Sequence, residues 1–283
     1  MLNCIFSKLS TIDRNIAIIS MKSFSREKIR NSADILPDAE PIFINQSKTG
    51  ILFFHGFTGS PHEGSDFAEY FSGKGFTVWV PLLPGHGTQP QDLLEIKWQD
   101  WYDYSKNYYL KLKEKCDKVI ICGQSMGGTL ALNIACQYSV DALVCFAAAV
   151  FLKDWRLKLL PLAKKIITYQ FKSKGPDVSL KEAKKNSVSY PKYPLSSLEQ
   201  LLLLLNDTKN KLDKVKAPIL LIHSTRDHTV TYENMEFICN HISSNIKKKI
   251  TLENSYHVLS TDKEKDLIFQ SVDKFLTELN ITA

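Results

Sequence analysis

The chain has 283 residues, with 36 basic against 30 acidic side chains for a formal net charge of +6, and 44% of it is hydrophobic. A chain of this length buries about three quarters of its unfolded surface, enough for one large core, and no run approaches the ~20 apolar residues of a membrane-spanning helix. Twelve glycines and eleven prolines are too few for a collagen-like or low-complexity chain, so disorder, fibres and integral membrane helices are excluded.

Residues 1–40 are polar and mixed, and are expected to form a weakly ordered extension that adds little to the core. Their longest apolar run, Ile16–Ile19, falls short of the ~7–15 residues of a secretory h-region. No export signal is therefore expected, and Met21 is an alternative start. From residue 41 short apolar runs alternate with amphipathic stretches. Ile51–Phe54, Thr77–Val80, Lys118–Cys122, Ala142–Phe146, Ile219–His223 and Lys249–Leu252 read as strands, and 62–73, 98–115, 126–138, 232–243 and 263–279 as helices. This alternation implies an α/β fold, a mostly parallel central sheet with helices on both faces. Residues 151–215 break the rhythm with no clear strand, several prolines and the run Leu201–Leu205, and are expected to be a helical lid insertion over one end of the sheet. The leucine run itself reads as helix packing.

The six cysteines form no CxxC pair and no regular spacing, so neither a zinc site nor a disulfide framework is expected. A reduced, cytoplasmic setting follows.

The strongest local signal is Gly123-Gln124-Ser125-Met126-Gly127-Gly128, between a strand and a helix. This is G-x-S-x-G in the context its chemistry needs. A serine at the tip of a strand-to-helix turn takes a strained backbone, and a bulky residue two positions to either side would collide with the turn. At this composition the pattern arises by chance about 0.04 times per chain, which favours a nucleophile over an incidental serine. Met126 then opens the helix with its N–H facing the mouth of the site, where negative charge can develop.

A serine hydroxyl needs a base, and neutral histidine is the usual one near pH 7. Of seven histidines, His257 lies in the loop after the last strand, where loops at the carboxyl ends of strands surround the crevice. Asp227 follows the preceding strand and is placed to hold the imidazole. Asp154 is a second candidate acid, and His228, beside Asp227, a rival base. His55-Gly56-Phe57 follows the first strand; the N–H of Phe57 reads as the other oxyanion donor and His55 as a ring that orders the loop. A His55/His86 metal site lacks a third ligand at suggestive spacing, and no metal is expected. Phe57, Phe151 and the lid leucines would line an apolar acyl pocket.

From about residue 50 to 279 the chain resembles the bacterial monoacylglycerol lipases and carboxylesterases of the α/β-hydrolase family. The resemblance rests on His55–Pro61, Pro84-Gly85-His86-Gly87-Thr88, Trp98–Trp101, Gly123–Thr129, Asp227-His228 with Val230, and Asn254-Ser255-Tyr256-His257. It implies a Ser125–His257–Asp227 triad, oxyanion donors at Phe57 and Met126, a lid over 151–215 and no cofactor. The expected reaction is hydrolysis of monoacylglycerols or other short- to medium-chain esters through an acyl-enzyme. Acyl-thioester or carbon–carbon bond hydrolysis on the same scaffold, or ligand binding without turnover, are the alternatives. Two departures stand out: Gln124 occupies a position where the family more often has Leu or His, and the lid is rich in lysine. Residues 151–190 hold ten Lys or Arg against three acids, an excess of seven against six for the whole chain. Two readings of this segment stand: it docks on anionic membrane, with Leu157, Leu159, Leu160, Ile166 and Ile167 entering the interface, or it is a solvated lysine-rich face over a buried apolar stripe. Aromatic–basic interleaving is lacking, and nucleic acid is not an expected partner.

Overall fold

The computed structural model describes residues 34–283; the extension expected over 1–40 therefore lies mostly outside the described residues. The packed body reaches back to Leu36, whose N–H donates to the Gly87 carbonyl (2.8 Å), and Ala39 is fully buried.

Nine strands follow in the described residues: β1 (Ile42–Ile44), β2 (Thr49–Phe54), β3 (Thr77–Val80), β4 (Lys118–Gln124), β5 (Ala142–Phe146), β6 (Tyr169–Phe171), β7 (Lys192–Pro194), β8 (Ile219–Ser224) and β9 (Lys247–Leu252). Seven form one sheet in the order β1-β3-β2-β4-β5-β8-β9, parallel throughout except for antiparallel β1 on β3. Strands β2, β5 and β8 are buried along their whole length, as parallel strands covered on both faces must be. Alternate residues serve opposite faces. Ile51, Phe53, Val78, Ile120, Cys122 and Val144 meet Phe67 and Phe71 of α1 (Ser65–Gly73) and Phe269 and Phe275 of α8 (Lys265–Glu278). Against the other face lie α2 (Trp98–Lys115) and α3 (Met126–Ala135), with α6 (Leu195–Lys209) packed on them.

Strands β3 and β4 flank β2 on opposite sides, so the chain reverses its direction of progress across the sheet there. A crevice opens at such a reversal, at the carboxyl ends of the strands. Register keeps those ends level: Phe54 of β2 pairs with Gly123 of β4, and Ser224 of β8 with Leu252 of β9. The outer strand β9 is guarded by Lys247, Lys248 and Lys249, charges that discourage edge-to-edge pairing.

Residues 151–215 depart from the helical insertion expected. A 3₁₀ turn (Trp155–Leu159), the short helices α4 (Leu160–Ala163) and α5 (Lys181–Asn186), and an antiparallel ribbon of β6 with β7 make up the first two thirds. Three-residue strands carry too little periodicity to be read locally. The last third, α6, belongs to the body. It buries Leu201, Leu204, Leu205 and Thr208 against α2 and α3, and Thr208 and Asp207 accept hydrogen bonds from Asn133 (2.7 and 2.9 Å). The leucine run is a packing stripe.

Candidate active site

Strand β4 runs directly into Ser125, which has φ 54° and ψ −116°. A positive φ on a residue with a Cβ costs about 1–3 kcal/mol and persists only where the surroundings impose it. Here they do. The Ser125 N–H donates to the Phe146 carbonyl (2.8 Å). A side chain on Gly123 would run into the backbone of Gly127, and one on Gly127 into the Phe54 carbonyl. Both glycines are demanded by close approach of β2, β4 and α3. Met126 opens α3, so its N–H has no intrahelical acceptor.

Asp227 follows β8 and His257 follows β9, neighbours in the sheet. His257 Nδ1 lies 2.7 Å from Asp227 Oδ2, while Oδ1 accepts the N–H groups of Thr229 and Val230 (2.8 Å each). His223 Nε2 lies 3.2 Å from the same Oδ2 and 2.9 Å from the Val230 carbonyl. Burial opposes ionisation of Asp227, yet His257 and His223 beside it hold its pKa far below the usual carboxylate range. Burial likewise opposes protonation of His257, but the Asp227 charge, with Asp177 and Glu63 farther off, lifts its pKa above the ordinary histidine value. With Nδ1–H committed to the carboxylate, the free lone pair of the neutral ring is on Nε2, the arrangement a general base requires. No hydrogen bond joins Ser125 Oγ to His257 among the described residues. Such contacts are commonly long without substrate and tighten in the complex.

Gln124 brings the two loops together. Its amide donates to the His257 carbonyl (2.7 Å) and accepts the Leu259 N–H (3.1 Å), so the residue before the serine grips the loop that carries the imidazole.

In the loop after β2, His55 Nδ1 lies 2.9 Å from the Gly56 carbonyl, and its Nε2 accepts the Leu83 N–H (3.1 Å). Burial, with His86 nearby, keeps its pKa well below the usual value; the ring orders the loop. His86 is also buried, its pKa lowered to about 4 by burial, with Nδ1 3.0 Å from the Pro84 carbonyl. The Phe57 ring sits edge-on to Trp101 and Tyr193 (centroids 6.0 and 5.4 Å). Phe151 packs against a different ring. Its ring is edge-on to Phe237 of α7 (Glu233–His241) at 5.6 Å, and its N–H donates to Asn234 (3.1 Å), so it shares no ring cluster with Phe57.

The rivals also find other work. Asp154 caps the turn after it by accepting the Arg156 N–H (2.9 Å) and pairs with the Arg156 guanidinium (2.6 Å). His228 is exposed and pairs with Asp177 (2.9 Å). Asp177, in the insertion, also accepts the N–H groups of His257 and Val258 on its carbonyl (3.0 and 3.1 Å). Fully buried Asp262 accepts the N–H groups of Ser179, Leu180 and Tyr256 (2.8, 2.9 and 2.8 Å). Insertion and base loop are thus stitched together beside His257. Gln124, Asp177 and Asp262 escaped the sequence reading; only the unusual residue at 124 hinted at a role. Among the described residues no group of three or more His, Cys, Asp or Glu stands together as metal ligands.

A strained serine elbow, a His–Asp pair on adjacent loops and a parallel sheet with its reversal at the elbow define an α/β-hydrolase. Residues 45–264 match the family described as serine aminopeptidase, S33; the chain belongs to this family and is a serine hydrolase. It is 34% identical over 248 residues to a thermostable monoacylglycerol lipase of Bacillus sp. (strain H-257), covering 86% of this chain and 96% of the relative. A carboxylesterase of Bacillus subtilis (strain 168) is 27% identical, over 85% of this chain and 97% of that enzyme. Among solved structures, a chain of the metagenome-derived lipolytic enzymes LipS and LipT superposes with a TM-score of 0.82 at 33% identity, over 86% of this chain and 99% of that one.

Proposed function

We propose that this protein is a carboxylester hydrolase acting on monoacylglycerols or other short- to medium-chain esters through an acyl-enzyme. The observation that carries the reading is the 2.7 Å His257–Asp227 contact beside a serine held at positive φ. Ser125 Oγ attacks the ester carbonyl as His257 Nε2 takes its proton, and Asp227 stabilises the imidazolium. The N–H groups of Phe57 and Met126 receive the oxyanion, and water then releases the acid by the same route. The Phe57 cluster supplies one apolar wall of the acyl pocket. The ester class rests on the lipase and carboxylesterase relatives, which align over nearly their whole length. Ser125→Ala is expected to abolish turnover of p-nitrophenyl butyrate and labelling by a fluorophosphonate; retained turnover would overturn the reading. Parallel assays on graded monoacylglycerols, an acyl-thioester and a diketone separate ester hydrolysis from its scaffold-sharing alternatives.

The insertion acts as a lid that docks on anionic lipid. Seven of the thirteen exposed large hydrophobic residues among those described fall within 155–180, including Trp155 at 73% and Ile166 at 87% exposure. Lys158, Lys165, Lys174, Lys181, Lys184 and Lys185 of the same segment are also exposed. Exposed apolar side chains in a cationic segment suit an anionic interface. Leu160, expected to join them, turns inward and is buried, while Trp155 and Phe171 take its place. No helix among the described residues is long and apolar enough to cross a membrane, so contact would be peripheral. Co-sedimentation with anionic but not neutral vesicles is expected; equal binding to both removes the electrostatic part. A reducing, cytoplasmic setting accords with the free thiols of Cys116, Cys122, Cys136, Cys145 and Cys239.

A further inference from the structure

The hydrolytic scheme leaves two charged groups beside the site without a task. Glu63 sits in the 3₁₀ turn Pro61–Gly64 just past the oxyanion loop, and is 8% exposed. Its Oε2 accepts the Gly56 N–H at 2.7 Å. A Cβ built on Gly56 would stand 3.3 Å from that oxygen and 3.5 Å from Ser125 Cβ, so the carboxylate oxygen and the Ser125 Cβ are no more than about 7 Å apart. Gly59 has no room for a side chain, because Glu63 fills the space. The loop 56–59 is wrapped around a buried carboxylate.

Lys172 arrives from the insertion, directly after β6, where its N–H donates to the Pro191 carbonyl (2.9 Å). Its ammonium reaches inward and donates to Thr58 Oγ1. Thr58 has φ 66°, and its carbonyl accepts the Tyr190 N–H (2.9 Å), a second tie from the insertion. Thr58 is therefore gripped on both sides by the insertion while Glu63 grips Gly56. Phe57, whose N–H is the proposed oxyanion donor, lies between them. Burial pushes the Lys172 ammonium down to about 8 against the opposing pull of Glu63, and burial pushes the Glu63 carboxyl up. The charged or titratable groups acting on this pair are Glu63 and Lys172 themselves, His86 and His257.

We propose that Lys172 and Glu63 are positioning residues, a charged latch by which the insertion holds the peptide of Phe57 in the geometry that stabilises the oxyanion. This rests on the ester-hydrolase reading above. A buried carboxylate without its counter-charge must shed its charge or open the loop. Either change loosens an amide whose placement matters to within about an ångström, where misplacement can cost about 100-fold in rate.

The test is kcat and KM of Lys172→Met, Lys172→Arg, Glu63→Gln and the Lys172→Met/Glu63→Gln double variant on p-nitrophenyl butyrate from pH 6 to 10. Lys172→Met and Glu63→Gln are each expected to lower kcat about 10- to 100-fold with KM within about threefold. The double variant should lose less than the product of the single losses, because no lone charge remains buried. Lys172→Arg should keep kcat within about fivefold and carry the alkaline limb to higher pH, since guanidinium does not deprotonate in this range. Unchanged kcat in Lys172→Met, or an alkaline limb that Lys172→Arg fails to move, overturns the latch. Loss of fold in Lys172→Met leaves the arginine variant's pH limb to decide. Turnover retained by Ser125→Ala is a separate outcome that sinks the ester-hydrolase reading instead.

Discussion

The loops at the carboxyl edge of the sheet and the insertion over 151–194 are built on opposite terms. In the first, the loops carrying Ser125, Asp227 and His257 each follow a strand of one sheet, and strand register levels Phe54 with Gly123 and Ser224 with Leu252. In the second, strands are three residues long, apolar side chains face outward and lysines abound. Precision comes from the sheet because buried strands have one packing solution. The insertion gains its place from polar stitches: Asp262 to Ser179 and Leu180, Asp177 to the base loop, Thr58 to Tyr190. A region held by hydrogen bonds over an exposed apolar face can part from the body at lower cost than a sheet strand.

Perturbations should separate these two regions. The largest effect is expected from Asp227→Asn, which keeps the shape but leaves His257 in the wrong tautomer: kcat should fall about 10,000-fold, and steady-state kinetics would read it. A fall below tenfold would mean the pair is structural only. Next is the pH profile. The proposed base His257 must be neutral to accept a proton, and Asp227 raises its pKa. The acid limb of kcat/KM should therefore lie above the ordinary histidine value of about 6.5, with activity rising as pH climbs through it. In Asp227→Asn the limb should move to lower pH.

Gln124→Leu removes both bonds to the base loop while preserving an apolar fit. Kcat is expected to drop about 10-fold as His257 loses alignment, and a drop confined to KM would contradict the role. The smallest catalytic effect should come from the insertion's outer face. Ile166→Ser should leave turnover of a soluble ester within about twofold, as exposed substitutions usually do, while lowering sedimentation with anionic vesicles. Equal sedimentation of wild type and variant would remove Ile166 from the docking surface.

The long elements were legible because their patterns are local. Trp98–Lys115 and Ala142–Phe146 match their expected limits, since an amphipathic 18-residue stretch and a five-residue apolar run bounded by turn signals admit few alternatives. The elbow was legible for a related reason: the motif spans five residues, and the collision of a Gly123 side chain with Gly127 lies inside it, although the one that constrains Gly127 comes from Phe54. Strand β1 and the ribbon β6–β7 escaped because three residues supply no period, and their partners stand roughly twenty or more positions away.

Composition, period and one short motif settled the layered α/β architecture and the strand-to-helix turn carrying Ser125, and they put Asp227 and His257 on loops after successive strands. Tertiary structure alone decided that Gln124 grips the loop carrying His257, that α6 belongs to the body, and that Glu63 and Lys172, over a hundred positions apart, hold Gly56 and Thr58 of one loop. Sequence records what neighbours along the chain demand of each other. A buried charge or amide finds its partner only when the fold closes the distance, and no spacing rule announces that meeting beforehand.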